Sequence, residues 1–276
     1  MSVLEDEFGD ILQKARDGKA WSANDLAEAV AMPAADIRRM EQYELIPDDA
    51  AILKIAEALD LHGPALQAIA HQTWMPQASQ PDPAFEMTCL KVFMGTYPVK
   101  CYLIQCRETG ATAIVDTGAN PEALIKKAGE LNRVPSKILL THAHPDHAGG
   151  LDALDQAYNC PAWIGAGEPQ PRGSRDLKFV QDGDRIELGH LNIEVLSTPG
   201  HTAGGVSYKI NKTIFSGDCI FAGSMGRANS SWQDLFQSIV GKLFSYSDDT
   251  RLHPGHGPAT TVGEEKQHNP FFFGKA

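Results

Sequence analysis

Apolar residues recur at three- and four-residue steps through residues 3–72. Leu26, Ala27 and Val30, then Ile37, Met40 and Tyr43, then Ile52, Ile55, Ala56 and Leu59 keep this spacing, which places each set on one face of a short helix. Ser22 with Asp25 three residues on has the form of a helix start, and Pro33 and Pro47 punctuate the run. The pattern predicts four or five helices. Between Met75 and Pro83 three prolines fall in nine residues, which reads as a linker. Beyond it the spacing changes. Ala113–Val115, Ile138–Leu140, Ile193–Leu196 and Val206–Tyr208 are short apolar runs rich in β-branched residues, the signature of strands. Pro121–Leu131 and Ser231–Leu243 read as helices between them. The expected organisation is a small all-α domain at 1–74, a Pro-rich linker at 75–86 and an α/β domain at 87–276, with no internal repeat.

Composition sets limits on this picture. Hydrophobic residues make up 42% of the 276-residue chain and charged residues 21%, which is globular rather than disordered. No run of about 18 apolar residues is present, so no membrane partner is expected. The opening MSVLEDEFGD lacks the basic and apolar regions of a secretory signal. Five cysteines without a C-x-x-C fit reduced thiols, and a cytoplasmic location is expected. The net charge of −11 is concentrated at the start: residues 1–75 hold 6 Lys+Arg against 14 Asp+Glu, a net of −8. A phosphate-binding surface needs the opposite sign, so nucleic acid is not an expected partner of the helical domain.

The sharpest chemistry lies at Thr141-His142-Ala143-His144-Pro145-Asp146-His147, which packs three imidazoles and a carboxylate directly after the strand Lys137–Leu140. At a strand end, residues i and i+2 project to the same side. His142 and His144 can therefore reach one ion, while Asp146 and His147, in the following turn, can reach a second. His201, Asp218 and His256 each follow a Gly-containing turn at the end of another predicted strand, where a side chain can be aimed out of the sheet edge. Five His and two Asp give two divalent ions a mixed N/O shell suited to Zn²⁺, with Mn²⁺ or Fe as alternatives. The other histidines (His62, His71, His190, His253, His268) read as surface or core residues, His190 at the tip of a Leu188–Leu191 hairpin.

In this order the H-x-H-x-D-H motif, His201, Asp218 and His256 resemble the metallo-β-lactamase fold superfamily over most of residues 87–276. The resemblance implies an αββα sandwich with the metals at one edge of its two sheets. It implies one ion on His142, His144 and His201, the other on Asp146, His147 and His256, and Asp218 as the bridge. Ile114-Val115-Asp116-Thr117-Gly118 matches a family turn whose Asp supports a ligand from behind. Phe215–Arg227, and Pro254–Glu265 followed by Asn269-Pro270-Phe271, are similar to the glyoxalase II-like hydrolases, in particular the short bacterial type without the extra helical glutathione-binding domain. That likeness implies a thioesterase acting on hydroxyacyl-glutathione-like thioesters through a metal-bridged hydroxide, with Asp146 both a ligand and the group that orients the hydroxide or passes a proton.

Three positions depart from the family pattern: Asn229 stands where an Asp is usual, Lys100 stands where an Asn is usual, and the segment between His147 and His201 is short. No motif assigns a substrate-binding residue. Arg227 is either a clamp for a substrate carboxylate or a residue that fixes its loop, and the second is preferred. Cys219 reads as core packing. A persulfide dioxygenase, the nearest rival, would hold one Fe on His142, His201 and Asp218. It typically carries Ala-His-Asp-Tyr at the last His, where this chain has Gly255-His256-Gly257-Pro258. An acyl-homoserine lactonase would carry a Tyr where Phe221 stands.

Leu26–Leu61 resembles the Cro/repressor-type helix-turn-helix, with Leu26–Val30 as its second helix and Ile37–Glu41 as its recognition helix. Function does not follow from that resemblance. Pro33, Ala34, Ala35 and Asp36 would face the bases, and none can make a bidentate contact to guanine or adenine. A metabolite-sensing DNA-binding regulator is one reading; a former DNA-binding domain now used for dimerisation or protein contact is preferred. Repressor-like domains often pair, so a homodimer through residues 1–74 is the assembly this implies.

Overall fold

The computed structural model describes residues 3–77 and 80–275. A helical segment comes first: α1 (Phe8–Gly18), α2 (Ala23–Val30), α3 (Ala34–Glu41), α4 (Asp49–Leu59) and α5 (Gly63–Ala70). The caps are built from sequence. The Ser22 hydroxyl accepts from the Asp25 N–H, and the Asp25 carboxylate accepts in return from the Ser22 N–H, a reciprocal arrangement that satisfies two otherwise orphaned donors. Asp48 caps α4 through the Ala51 N–H. The apolar stripe is buried as its spacing predicts at Leu26, Val30, Ile37, Met40, Ile52, Ile55 and Leu59. Tyr43 departs from it. It lies beyond the end of α3 in a left-handed conformation, φ 63°, and its hydroxyl donates to Asp10 at the surface.

A first sheet follows, β1 (Phe85–Met94), β2 (Tyr97–Cys106), β3 (Thr112–Val115), β4 (Pro135–Leu139), β5 (Ala162–Gly165) and β6 (Leu177–Val180), ordered as numbered. It carries α6 (Glu122–Glu130), α7 (Pro145–Ala148) and α8 (Leu151–Tyr158) in its connections. The second sheet contains β7 (Arg185–Leu188), β8 (Leu191–Ser197), β9 (Val206–Ile210), β10 (Thr213–Gly217), β13 (Arg251–Pro254) and β14 (Thr260–Thr261), in the order β14-β13-β10-β9-β8-β7. Between β10 and β13 run the small hairpin β11 (Ile220–Phe221) and β12 (Ser224–Met225) and the helix α9 (Trp232–Gln237); α10 (Val262–His268) follows β14. β1 begins at Phe85, inside the stretch read from sequence as linker, and Ala78 and Ser79 of that stretch lie outside the described residues. His190 occupies the two-residue loop joining β7 to β8.

Three apolar clusters define the layers. Tyr102, Ile104, Val115 and Leu139 of the first sheet meet Val195, Tyr208 and Phe215 of the second. On the outer face of the first sheet, Ile114 and Ile138 pack against Leu124 of α6 and Leu151 and Leu154 of α8. The third cluster joins Leu196, Ile214 and Leu252 of the second sheet to Leu235, Val262, Phe271 and Phe272, and continues without a break into Ile11, Leu26, Ile37, Ile52 and Leu66 of the helical segment. The chain is thus a mixed α/β sandwich with helices on both outer faces, and the N-terminal helices share the core of one of them. Each fully buried Leu, Ile or Phe there stabilises the joint core by about 1.5–3 kcal/mol.

The topology also gathers chemistry at one edge. β3 runs parallel to β4, and β10 runs parallel to β13, so the turns after these four strands leave the sandwich on one side. Asp116, His142, Asp218 and His256 sit in those turns.

Candidate metal centre

All seven residues singled out as ligands come together at this edge. Among the described residues, three groups of side chains have ligand atoms within 4.8 Å of one another: His142, His144 and His201; His142, His147 and Asp218; and Asp146, His147 and His256. In the first group the Nδ1 of His144 lies 3.0 Å from the Nε2 of both His142 and His201. In the third, the Nε2 of His256 lies 3.4 Å from Asp146 Oδ2, and that of His147 lies 3.6 Å from the same oxygen. Asp218 stands between the groups. Its Oδ2 is 3.6 Å from His201 Nε2 and 3.4 Å from His256 Nε2, and its Oδ1 is 3.2 Å from His147 Nε2.

The far sides of these rings are tied down. His147 Nδ1 donates to Asp116 Oδ2 at 2.8 Å, His201 Nδ1 to the Arg227 carbonyl at 2.8 Å, and His256 Nδ1 to the Pro98 carbonyl at 2.7 Å. His142 Nδ1 lies 3.0 Å from the Thr141 hydroxyl. Binding the outer nitrogen fixes ring orientation and tautomer and leaves Nε2 bare toward the centre, as a metal ligand requires. Two of the inward atoms, His147 Nε2 and Asp218 Oδ1, are buried with no hydrogen-bond partner among the described residues. A Cβ at Gly255 would strike Asp218 Oδ1 and the His147 ring, so only glycine lets the His256 turn approach so closely.

The electrostatics fit a site made for cations. Burial would raise the Asp218 carboxyl, but His147 and His256 outweigh it and hold it well below the usual carboxylate range. Burial would lower His147, but Asp218 and Asp116 push it well above its usual value. His256 is pushed up to about 10, burial being overcome by Asp218 and Asp146. His142, buried and beside His147, is pushed well down. The carboxylates thus favour positive charge at this edge, which is the role a divalent ion takes on binding. Donor chemistry, orphaned inward atoms and tied outer nitrogens all fit a metal centre.

Several residues support the centre, and Glu168, Lys14 and Glu5 among them carried no signal in the sequence. Glu168 is buried and accepts from the Ala143 N–H at 2.7 Å and the Gly204 N–H at 3.1 Å, which joins the H-x-H turn to the loop after His201. Arg227, whose carbonyl orients His201, extends its guanidinium to Gln13 at 2.8 Å and Asp17 at 3.4 Å on α1. The carboxylate that reaches the Arg227 guanidinium thus comes from α1. The Lys100 N–H donates to the Gly255 carbonyl at 2.7 Å, tying β2 to the His256 turn. Lys14 of α1 donates to the Met225 carbonyl at 2.7 Å and pairs with Asp6, which also accepts from the Ser224 hydroxyl. Glu5, beside them, takes a hydrogen bond from Tyr97 at 3.0 Å. Burial pushes its carboxyl up, partly offset by His256 and by the Tyr97 hydroxyl. Cys219 is buried in the third cluster, where burial raises its thiol far above the usual range. His253 is not part of the centre; it stacks on Phe215, and burial pushes it down to about 3.

Comparison with known proteins places this geometry. Residues 94–256, more than half of the chain, match the sequence profile of the Metallo-beta-lactamase superfamily. The chain is 34% identical to the hydroxyacylglutathione hydrolase GloC of Haemophilus influenzae over 200 residues, covering 64% of this chain and 93% of the relative. It is 30% identical to the probable polyketide biosynthesis zinc-dependent hydrolase BaeB of Bacillus velezensis, covering 67% and 85%. The crystal structure of TTHA1623 in a di-iron-bound form superposes with a TM-score of 0.58 at 32% identity, over 66% of this chain and all of that one. On fold, on the His/Asp edge and on this match, the chain belongs to the Metallo-beta-lactamase superfamily of metal-dependent hydrolases.

Proposed function

We propose that the protein is a dinuclear hydrolase of thioesters, of the hydroxyacyl-glutathione kind, with zinc as the expected metal. The observation that carries this reading is the position of Asp218 between two His-rich trios, with an oxygen within 3.2–3.6 Å of His147, His201 and His256. His142, His144 and His201 would hold one ion, Asp146, His147 and His256 the other, and Asp218 both. Bound there, such ions supply Lewis acidity and make water a nucleophile near neutral pH. The chain's own groups do the rest. Asp146 is part-exposed, with 13% of its side chain accessible, and it is the carboxylate suited to orient the attacking water and accept its proton. Asp116, Thr141 and the Arg227 and Pro98 carbonyls keep the imidazoles aimed. The likeness to the hydroxyacylglutathione hydrolase of Haemophilus influenzae and to the probable zinc-dependent hydrolase of Bacillus velezensis supports this class of chemistry.

The test is metal content by elemental analysis against chain concentration, followed by a thioester panel. About two Zn per chain, with lactoyl-glutathione cleaved and both lost together in His144→Ala, is the expected result. Retained activity in His144→Ala would overturn the site. One Fe per chain with oxygen-dependent persulfide oxidation would replace the reading with the mononuclear dioxygenase.

A further inference from the structure

The N-terminal arm, residues 3–7, closes over the His256 side of the centre and brings a carboxylate with it. Glu5 packs across the turn after His256. A Cβ on Gly257, which sits at φ 66°, would lie 2.9 Å from Glu5 Cβ and 3.0 Å from its N. The Tyr97 hydroxyl donates to Glu5 Oε1 at 3.0 Å, and the Tyr97 ring is centred 5.1 Å from the His256 ring. Tyr97 is 50% exposed and Glu5 part-exposed, so the pair forms a rim open to solvent rather than a buried plug. The arm is not loose. Its next residue, Asp6, is buried with Lys14 and Ser224, and Lys14 holds the Met225 carbonyl in the hairpin that follows Asp218. Lys14 is thereby committed to internal partners and does not neutralise the rim.

We infer that Glu5 is a specificity-determining residue that recognises an ammonium group on the substrate's thiol carrier and disfavours a carboxylate at the same place. The inference rests on the thioesterase reading, and it names the substrate class within it: thioesters of amine-bearing thiols. A part-exposed carboxylate held by one tyrosine hydroxyl keeps acceptor capacity free. Its partly screened field discriminates between cationic and anionic ligands. A Gln at this position would keep the shape and the Tyr97 hydrogen bond while removing the charge.

The experiment measures binding of three small thiols, cysteamine, 2-mercaptoethanol and 3-mercaptopropionate, to the metal-reconstituted full chain by calorimetry, for the wild type and for Glu5→Gln. The wild type is expected to bind cysteamine about tenfold more tightly than 3-mercaptopropionate, and Glu5→Gln to bring the two within about twofold. The same ranking and spacing in Glu5→Gln as in the wild type, or a wild-type preference for 3-mercaptopropionate, would overturn the inference. Because the readout is thiol binding, it separates from turnover. A chain that sorts the thiols through Glu5 yet cleaves no thioester overturns the hydrolase reading and leaves Glu5 as a cation-recognising group.

Discussion

Asp116 Oδ2 lies 2.8 Å from His147 Nδ1, and Asp116 Oδ1 accepts the Thr141 N–H at 2.8 Å. One carboxylate therefore ties the turn after β3 to the strand end that carries the H-x-H-x-D-H motif. It does so from a left-handed conformation, φ 56°, which Asp and Asn tolerate better than most residues. Asp116→Asn should keep the fold but weaken the hold on His147, lowering metal affinity by roughly 10–100-fold. Chelator competition against the purified metal complex measures this directly. Equal retention in the variant would mean that Asp116 serves packing alone.

Gly255→Ala should be more damaging at the centre than in the core. The added methyl meets Asp218 Oδ1 and the His147 ring, atoms held between several partners. Overpacking of this kind costs typically about 1–3 kcal/mol, and here the displaced groups are the inward-facing ones. The expected result is a folded protein with sharply reduced metal content. Normal metal content in Gly255→Ala would show that the turn can retreat from Asp218.

Residue pattern and residue contact explain why part of this was legible in the sequence and part was not. His142, His144, Asp146 and His147 fall within six consecutive positions, and His201, Asp218 and His256 each follow a glycine, so local spacing revealed them. The α/β class was legible for the same reason, since Ala113–Val115 and Ile193–Leu196 are apolar runs of strand length. Glu5 and Tyr97 are 92 residues apart and Lys14 and Met225 are 211 apart; no local period encodes such pairs. The stripe Ile37–Met40 announces a buried helix face but not its partner. That the helical segment shares a cluster with Phe271 and Phe272 emerges only from the folded chain. β1 carries no such signature because its side chains are mostly exposed or part-exposed and few are β-branched.

The buried pair Lys14–Asp6 joins α1 and the N-terminal arm to the hairpin after Asp218. Lys14→Met leaves Asp6 buried without its cation and should destabilise the protein by about 3–5 kcal/mol. The double variant Asp6→Asn, Lys14→Met removes both charges and should recover much of that loss. Urea unfolding of the wild type, both single variants and the double variant gives the coupling. Strictly additive losses would show that the two side chains act independently despite their contact.

Glu265 supplies a pH dependence whose sign follows from its burial. Its side chain is fully buried and accepts from the Gly223 N–H at 3.0 Å, the Thr260 hydroxyl at 2.7 Å and Asn269 Nδ2 at 2.7 Å. Burial outweighs these bonds and pushes the carboxyl from its usual value near 4.5 up to about 7. Between those values the folded chain binds more protons than the unfolded one, so stability falls as pH rises. The contribution is fully present below about pH 4.5 and is lost as pH passes through about 7, a change of about 3 kcal/mol at most. Glu265→Gln cannot titrate. Between pH 5 and pH 8 the wild type should therefore lose stability relative to Glu265→Gln, as read by urea unfolding at each pH. Parallel pH profiles for the two proteins would mean that the three hydrogen bonds already stabilise the ionised carboxylate as well as water does.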